Sequence, residues 1–298
     1  MISATLTHSR TTLPLTWRFW FVAPMVVALA SVVLFPTVYL FWMSAQHWLV
    51  IDPDVYFNGV DNYSRLLFSN DLWQSIRVTG IYLLFSTGVM LAMGLGLALS
   101  FSNAAKSGWL RVLVVMPLVI PPVVAGFTWR FLLNGEMGFI GAFLLPSIGF
   151  EANMLANPTG AMASIVIADV WSRTPFIFLI LLAALQGVPR ELYEAARMDG
   201  ATTIDEFFNI TLPMLRGAII VAVLFRLVDA INTFELIFVM TKGGPGRSTQ
   251  VLSIFGWRTA FQELDFGQAA ALGVLMLAMA LTVAVLMFRR FLRSAEGR

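Results

Sequence analysis

Long apolar stretches alternate with short polar ones along this chain. Six segments, at roughly 19–43, 78–101, 112–133, 160–186, 214–240 and 268–288, are mostly apolar, and about 20 such residues carry a helix across a bilayer core. The pattern predicts an all-α integral membrane protein with six transmembrane helices. It divides the chain into a tail at 1–18, a six-span domain at 19–288 with a long polar connection at 187–213, and a basic tail at 289–298. The first run, Phe19 to Met43, exceeds the roughly 7–15 residues of a secretory h-region, so it reads as an uncleaved first span. The third segment holds Pro117, Pro121 and Pro122. Proline removes a helical hydrogen bond and kinks the helix, which predicts either a packing kink or a helix bent around a translocation path.

Composition agrees with a membrane chain. Charged residues make up 12% of the protein and hydrophobic ones 58%, where soluble domains carry about 25% charged. No cysteine is present, which excludes disulfides and thiolate metal sites. A net charge of +2 without a basic stripe argues against nucleic-acid partners. His8 and His47 stand far apart near the first apolar run and read as solvated.

Charge sets the expected orientation. Arg10, Arg18, Lys106, Arg111, Arg190, Arg197, Arg216, Arg289, Arg290, Arg293 and Arg298 fall on one side of a six-span arrangement. Arg65, Arg77, Lys242, Arg247 and Arg258 fall on the other. The positive-inside rule then places both termini and the 187–213 connection in the cytoplasm.

That connection has its own helical punctuation. Pro189 suits a first helical turn, Glu191 and Glu194 suit a helix N-terminus, and Gly200 suits a left-handed C′ position. Thr203 with Glu206 predicts a capping box for a second helix, and Pro213 the start of the fifth span. Periodicity alone leaves two readings open, an interfacial helix on lipid headgroups or a docking element.

The residue spacing here resembles a known family. Glu194-Ala195-Ala196, three residues, Gly200, nine residues, Ile210, one residue and Leu212-Pro213 resemble the EAA signature of permease subunits of bacterial binding-protein-dependent ABC importers. Further stretches are similar to the carbohydrate-importing, MalF-like members: Phe57-Asn58-Gly59-Val60-Asp61-Asn62-Tyr63, Asp199-Gly200-Ala201, Thr241-Lys242-Gly243-Gly244-Pro245 with Thr249, and Phe266-Gly267 with Ala269-Ala270. The resemblance implies the type I permease fold in its compact six-span form, in a bacterial inner membrane. It implies a second homologous permease in a heterodimer, two ATP-binding subunits that hold ATP and magnesium, and an extracytoplasmic solute-binding protein. It further implies that Glu194 docks on an ATP-binding subunit, with Ala195 and Ala196 allowing close approach and Gly200 making the turn.

Charges inside the spans are costly, about 2.5–3.5 kcal/mol each on insertion scales. Asp169 and Arg173 lie four apart on the fourth span and predict an internal ion pair. On the fifth, Arg226, Asp229 and Thr233 share a helical face, with Asn232 beside them and Glu235 nearly opposite Arg226. This face either holds the bundle together or lines the path of a sugar, for which Phe176 offers a stacking ring and Arg173 a donor. The resemblance favours sugar contacts on this helix, while a polyol or a glycerol phosphodiester remains open. Gly246-Arg247-Ser248 is not a phosphate loop, because Thr241 and Arg247 stand where its first glycine and its lysine belong. No catalytic motif, metal site or cofactor motif is present, so the chain is expected to transport and not to hydrolyse ATP. A stand-alone secondary transporter and a membrane protein that merely binds an ATPase are the rival readings.

Overall fold

The structure, a computed structural model, describes residues 15–52, 54–102 and 108–296. Arg10, Lys106 and Arg298, on which part of the charge asymmetry rests, and His8, expected to be solvated, lie outside the described residues. The chain opens with α1 (Leu15–Leu29), a π-helical turn (Ala30–Leu34) and α2 (Phe35–Ser44). A small hairpin, β1 (Gln46–His47) with β2 (Tyr56–Phe57), and α3 (Asp61–Leu67) lead into α4 (Asn70–Ser102). Next come α5 (Gly108–Val119), α6 (Pro122–Leu132), the short α7 (Leu145–Ser147) and α8 (Pro158–Gln186). The polar connection holds α9 (Arg190–Met198) and α10 (Thr203–Glu206), followed by α11 (Leu212–Ile231) and α12 (Glu235–Thr241). The chain closes with α13 (Leu252–Phe261) and α14 (Phe266–Glu296).

Among the described residues four helical stretches are long and apolar enough to span a bilayer: Val22–Ser44, Asn70–Ser102, Pro158–Gln186 and Phe266–Phe291. The α5–α6 pair adds a fifth if its two halves count as one span. The expected single kinked helix at 112–133 is in fact two helices meeting at 97°. Adjacent prolines are the reason. Pro121 is driven to an extended ψ of 141° by the ring of Pro122, and Pro122 then opens α6 from its first turn.

The expected fifth span at 214–240 also needs correction, since no single helix covers it. Helix α11 stops at Ile231 and α12 begins at Glu235. The break is held by side chains: Thr233 donates to the Asp229 carbonyl at 3.2 Å, and Ser253 of α13 donates to the Thr233 carbonyl at 2.5 Å. Irregular backbone at membrane depth survives where protein satisfies its polar groups. The helical phase therefore does not carry to Glu235, which occupies the first turn of α12.

Small residues set the closest packing. Helices α4 and α8 form the most extensive pair. At Gly94 a side chain would come within 2.8 Å of Ile177 Cγ2. Helix α14 packs on α2 and α11. Helix α6 packs on α12 through Gly126, where a Cβ would lie 3.1 Å from that of Val239. Tight small-residue contacts of this kind drive helix association in lipid, where no hydrophobic gain is available between helices. A core cluster that includes Leu66, Leu72, Leu252, Phe255 and Leu272 ties the short helices α3 and α13 to α4 and α14.

Candidate functional site

Four charged side chains meet where α4, α8 and α11 pack together. Arg226 is buried and donates through Nη2 to Asp169 Oδ2 at 2.5 Å, Ser86 Oγ at 2.9 Å and the Tyr82 hydroxyl at 3.0 Å. Its Nη1 donates to Asp229 Oδ2 at 3.1 Å. Tyr82 in turn donates to Asp169 at 2.7 Å. Arg173 closes the ring, pairing with Asp229 at 2.7 Å and standing 3.2 Å from Asp169 Oδ1. Two arginines thus alternate with two aspartates, and the ring carries no net charge. Burial of such groups is tolerated only with this degree of pairing.

The ring is graded in exposure. The side chains of Asp169 and Arg226 are 0% and 3% exposed, while those of Arg173 and Asp229 are 28% and 42% exposed. The predicted Asp169–Arg173 ion pair is present, and Arg226 and Asp229 do share a face. Arg226, however, is turned into the bundle and enclosed, whereas Arg173 and Asp229 form the accessible edge. Thr233 is buried at the helix break, Asn232 is exposed and donates to the Val228 carbonyl at 3.0 Å, and Phe176 meets Phe225 edge-on at 6.0 Å. A small cleft of about 80 Å³ runs between this edge and the α5–α6 break, lined by Ile120, Pro122, Asp169, Ser172, Arg173 and Leu236. A larger cavity of about 360 Å³ lies beyond α6 and α12, with Arg130, Asn134, Asn153, Thr241 and Gly244 on its wall.

Sequence reasoning misses Tyr82 and Ser86. A tyrosine in an apolar helix gives no signal of its partner when that partner lies 87 residues away.

The 187–213 connection forms the second element. Helix α9 has no buried residue, and Glu194 and Ala195 face outward with Met198, which is 88% exposed. Gly200 adopts φ +84° just past the helix end, the left-handed conformation in which a side chain is strained. The capping box sits one residue earlier than expected. Thr202 and Asp205 satisfy each other's backbone, because Thr202, at an extended ψ of 165°, is the last residue before α10. The Thr202 hydroxyl and backbone N–H hold the Asp205 carboxyl below its ordinary pKa. Glu206, expected in that box, is instead buried against Arg197, with Nε–Oε1 at 2.6 Å and Nη2–Oε2 at 3.3 Å. That hydrogen-bonded carboxylate raises the Arg197 pKa above its ordinary value. Ile210 lies in a π-helical turn (Phe207–Thr211), and Leu212-Pro213 open α11 with proline in the first turn, as expected.

Comparison with known proteins places these elements. Residues 78–295 match the family described as binding-protein-dependent transport system inner membrane component. The trehalose/maltose transport system permease protein MalF of Thermococcus litoralis is 34% identical over 91% of this chain and 93% of its own length. The trehalose transport system permease protein SugA of Mycobacterium tuberculosis is 33% identical over 99% of this chain and 96% of its own length. A crystal structure of a bacterial ABC transporter that imports the acidic polysaccharide alginate has the same fold, with a TM-score of 0.76 and 22% identity over 93% of this chain and 96% of that one. The chain belongs to the binding-protein-dependent transport system inner membrane components, the permease subunits of ABC importers.

Proposed function

We propose that this chain is one of two homologous permeases in an importer that moves a sugar or related solute, delivered by an extracytoplasmic binding protein, through the cytoplasmic membrane by alternating access. Two ATP-binding subunits hold ATP and magnesium and drive it. The termini and the 187–213 connection lie in the cytoplasm, and the six-span count includes α5–α6 and α11–α12 as broken spans. One observation carries the reading: α9 is an amphipathic helix with no buried residue that presents Glu194, Ala195 and Met198 outward from the bundle. Such a helix is completed by a partner groove. Glu194 docks there, and Gly200, Ile210, Leu212 and Pro213 fix the path of the chain back into α11. The names of the trehalose and maltose permeases support the sugar class. The Arg173–Asp229 edge, with Asn232, Thr233 and Phe176 nearby, is the part of the path suited to hydroxyl groups, since it offers donor and acceptor side by side.

The test is co-expression with the ATP-binding subunits, the second permease and the binding protein, followed by uptake of labelled trehalose, maltose and glycerol 3-phosphate into vesicles. ATP-dependent uptake of a sugar is expected, and Glu194→Lys should abolish co-purification of the ATP-binding subunits. Uptake driven by a proton gradient without ATP would overturn the reading.

A further inference from the structure

Helix α9 has two working faces, and only one of them docks. Tyr193 and Arg197 are four apart and so lie on one side of the helix. Both reach across the Gly200 turn. The Tyr193 hydroxyl meets Thr211 Oγ1 at 2.9 Å, and Arg197 holds Glu206 through two nitrogens at 2.6 and 3.3 Å. Thr211 also donates to the Glu206 carbonyl at 3.3 Å. Bidentate arginine–carboxylate pairs fix geometry as well as charge, and Glu206 is buried, so its charge depends on this partner. Glu194, adjacent to Tyr193 in sequence, projects about 100° round the helix and is exposed.

The turn is closed by backbone hydrogen bonds, Gly200 N–H to the Arg197 carbonyl at 3.1 Å and Ala201 N–H to the Ala196 carbonyl at 2.9 Å, but nothing packs against it. Gly200 has open space around it, with nothing within 4 Å of where a Cβ would stand. A force applied to the outer face of α9 would first swing that helix about Gly200. It would reach α11 only if something bridges the turn.

We propose that Arg197 and Glu206 are the charged strut of that bridge, alongside the Tyr193–Thr211 contact: positioning residues that make α9 and α11 move as one piece, so that displacement of the docked helix is delivered to the charged edge of the path. This rests on the reading of 187–213 as the docking connection. The strut touches neither ATP nor solute, and its loss leaves docking intact while uncoupling α11 from the docked helix.

The test uses the assembled transporter with cysteine-free partner subunits. A 4-fluorophenylalanine placed at Phe225, whose ring meets Phe176 of α8 edge-on at 6.0 Å, reports movement of α11 against α8 as a fluorine resonance shift on adding Mg-ATP and vanadate. Arg197→Ala and Glu206→Gln should keep the ATP-binding subunits bound but reduce that shift to less than half. Since the chain has no cysteine, an Arg197→Cys, Glu206→Cys double variant can be spanned by a short bis-maleimide, each thiol adding to one maleimide, which should restore the shift. A full shift in the single variants, or no recovery on crosslinking, overturns the strut. Loss of the ATP-binding subunits from Arg197→Ala would also overturn it, by assigning the residue to docking. The docking reading fails separately, if Glu194→Lys keeps its partners.

Discussion

The charge ring makes a prediction whose size is set by its graded exposure. Replacing Asp169 with alanine removes the 2.5 Å partner of a guanidinium that is 3% exposed. Arg226 then retains Asp229, Tyr82 and Ser86, but its one remaining carboxylate is 42% exposed and is shared with Arg173. Breaking a buried pair from one side costs about 3–5 kcal/mol, because the other charge stays behind unpaired. Asp229→Ala leaves the Asp169–Arg226 pair whole and removes only a partly solvated acid, for which about 1 kcal/mol or less is expected. The two variants should therefore differ by roughly 2–5 kcal/mol, or about one and a half to four orders of magnitude in unfolding equilibrium. Unfolding of the purified protein in mixed micelles by added SDS, followed by tryptophan fluorescence, measures this directly. The double variant Asp169→Leu, Arg226→Met should cost less than either single change, since neither charge is then stranded. In uptake the order reverses, because Asp229→Ala should lower transport by a folded complex. If Asp169→Ala proves no more costly than Asp229→Ala, the division into a buried scaffold and an accessible edge is wrong.

Three further outcomes are expected. Gly94→Ala should destabilise the bundle by about 1–3 kcal/mol, since its methyl would meet Ile177 Cγ2 at 2.8 Å and the Phe178 nitrogen at 3.3 Å; SDS unfolding detects it, and a neutral effect would mean that α4 and α8 part easily. Thr202→Ala should cost the connection about 0.5–2 kcal/mol of local stability, seen as faster amide exchange across Thr203–Glu206. The same cap is pH-sensitive: the Asp205 pKa is lowered by folding, so its contribution is complete above the ordinary carboxylate value of about 4 and is lost as pH falls through the folded value. Exchange at these amides should thus be protected near neutrality and lose protection only in acid, once corrected for the intrinsic rate.

Much of the protein is legible in one dimension. Apolar length alone marks the spans that run straight, such as Pro158–Gln186, whose expected limits are 160–186. The left-handed glycine at 200 and the proline opening α11 come from local backbone preference, as do the helical character of the connection and the Asp169–Arg173 pair four residues apart. The register of the cap differs by one from expectation, because whether Thr202 or Thr203 precedes the helix depends on how far the chain extends past Gly200, which composition does not encode.

Tertiary structure decided where long-range partners meet. The interruption of the expected fifth span depends on Ser253, a residue of α13 that takes up the freed Thr233 carbonyl, and hydropathy reads straight through such a break. The sharp angle at Ile120–Pro121 needed neighbours to accept it, though the prolines announced a bend. Helical phase correctly put Arg226 and Asp229 on one face, yet it could not say which would be enclosed. That was settled by Tyr82, Ser86 and Asp169 arriving from two other helices. Periodicity reports the direction of a side chain about its own axis; burial of a charge depends on what other helices bring to it, and only packing supplies that.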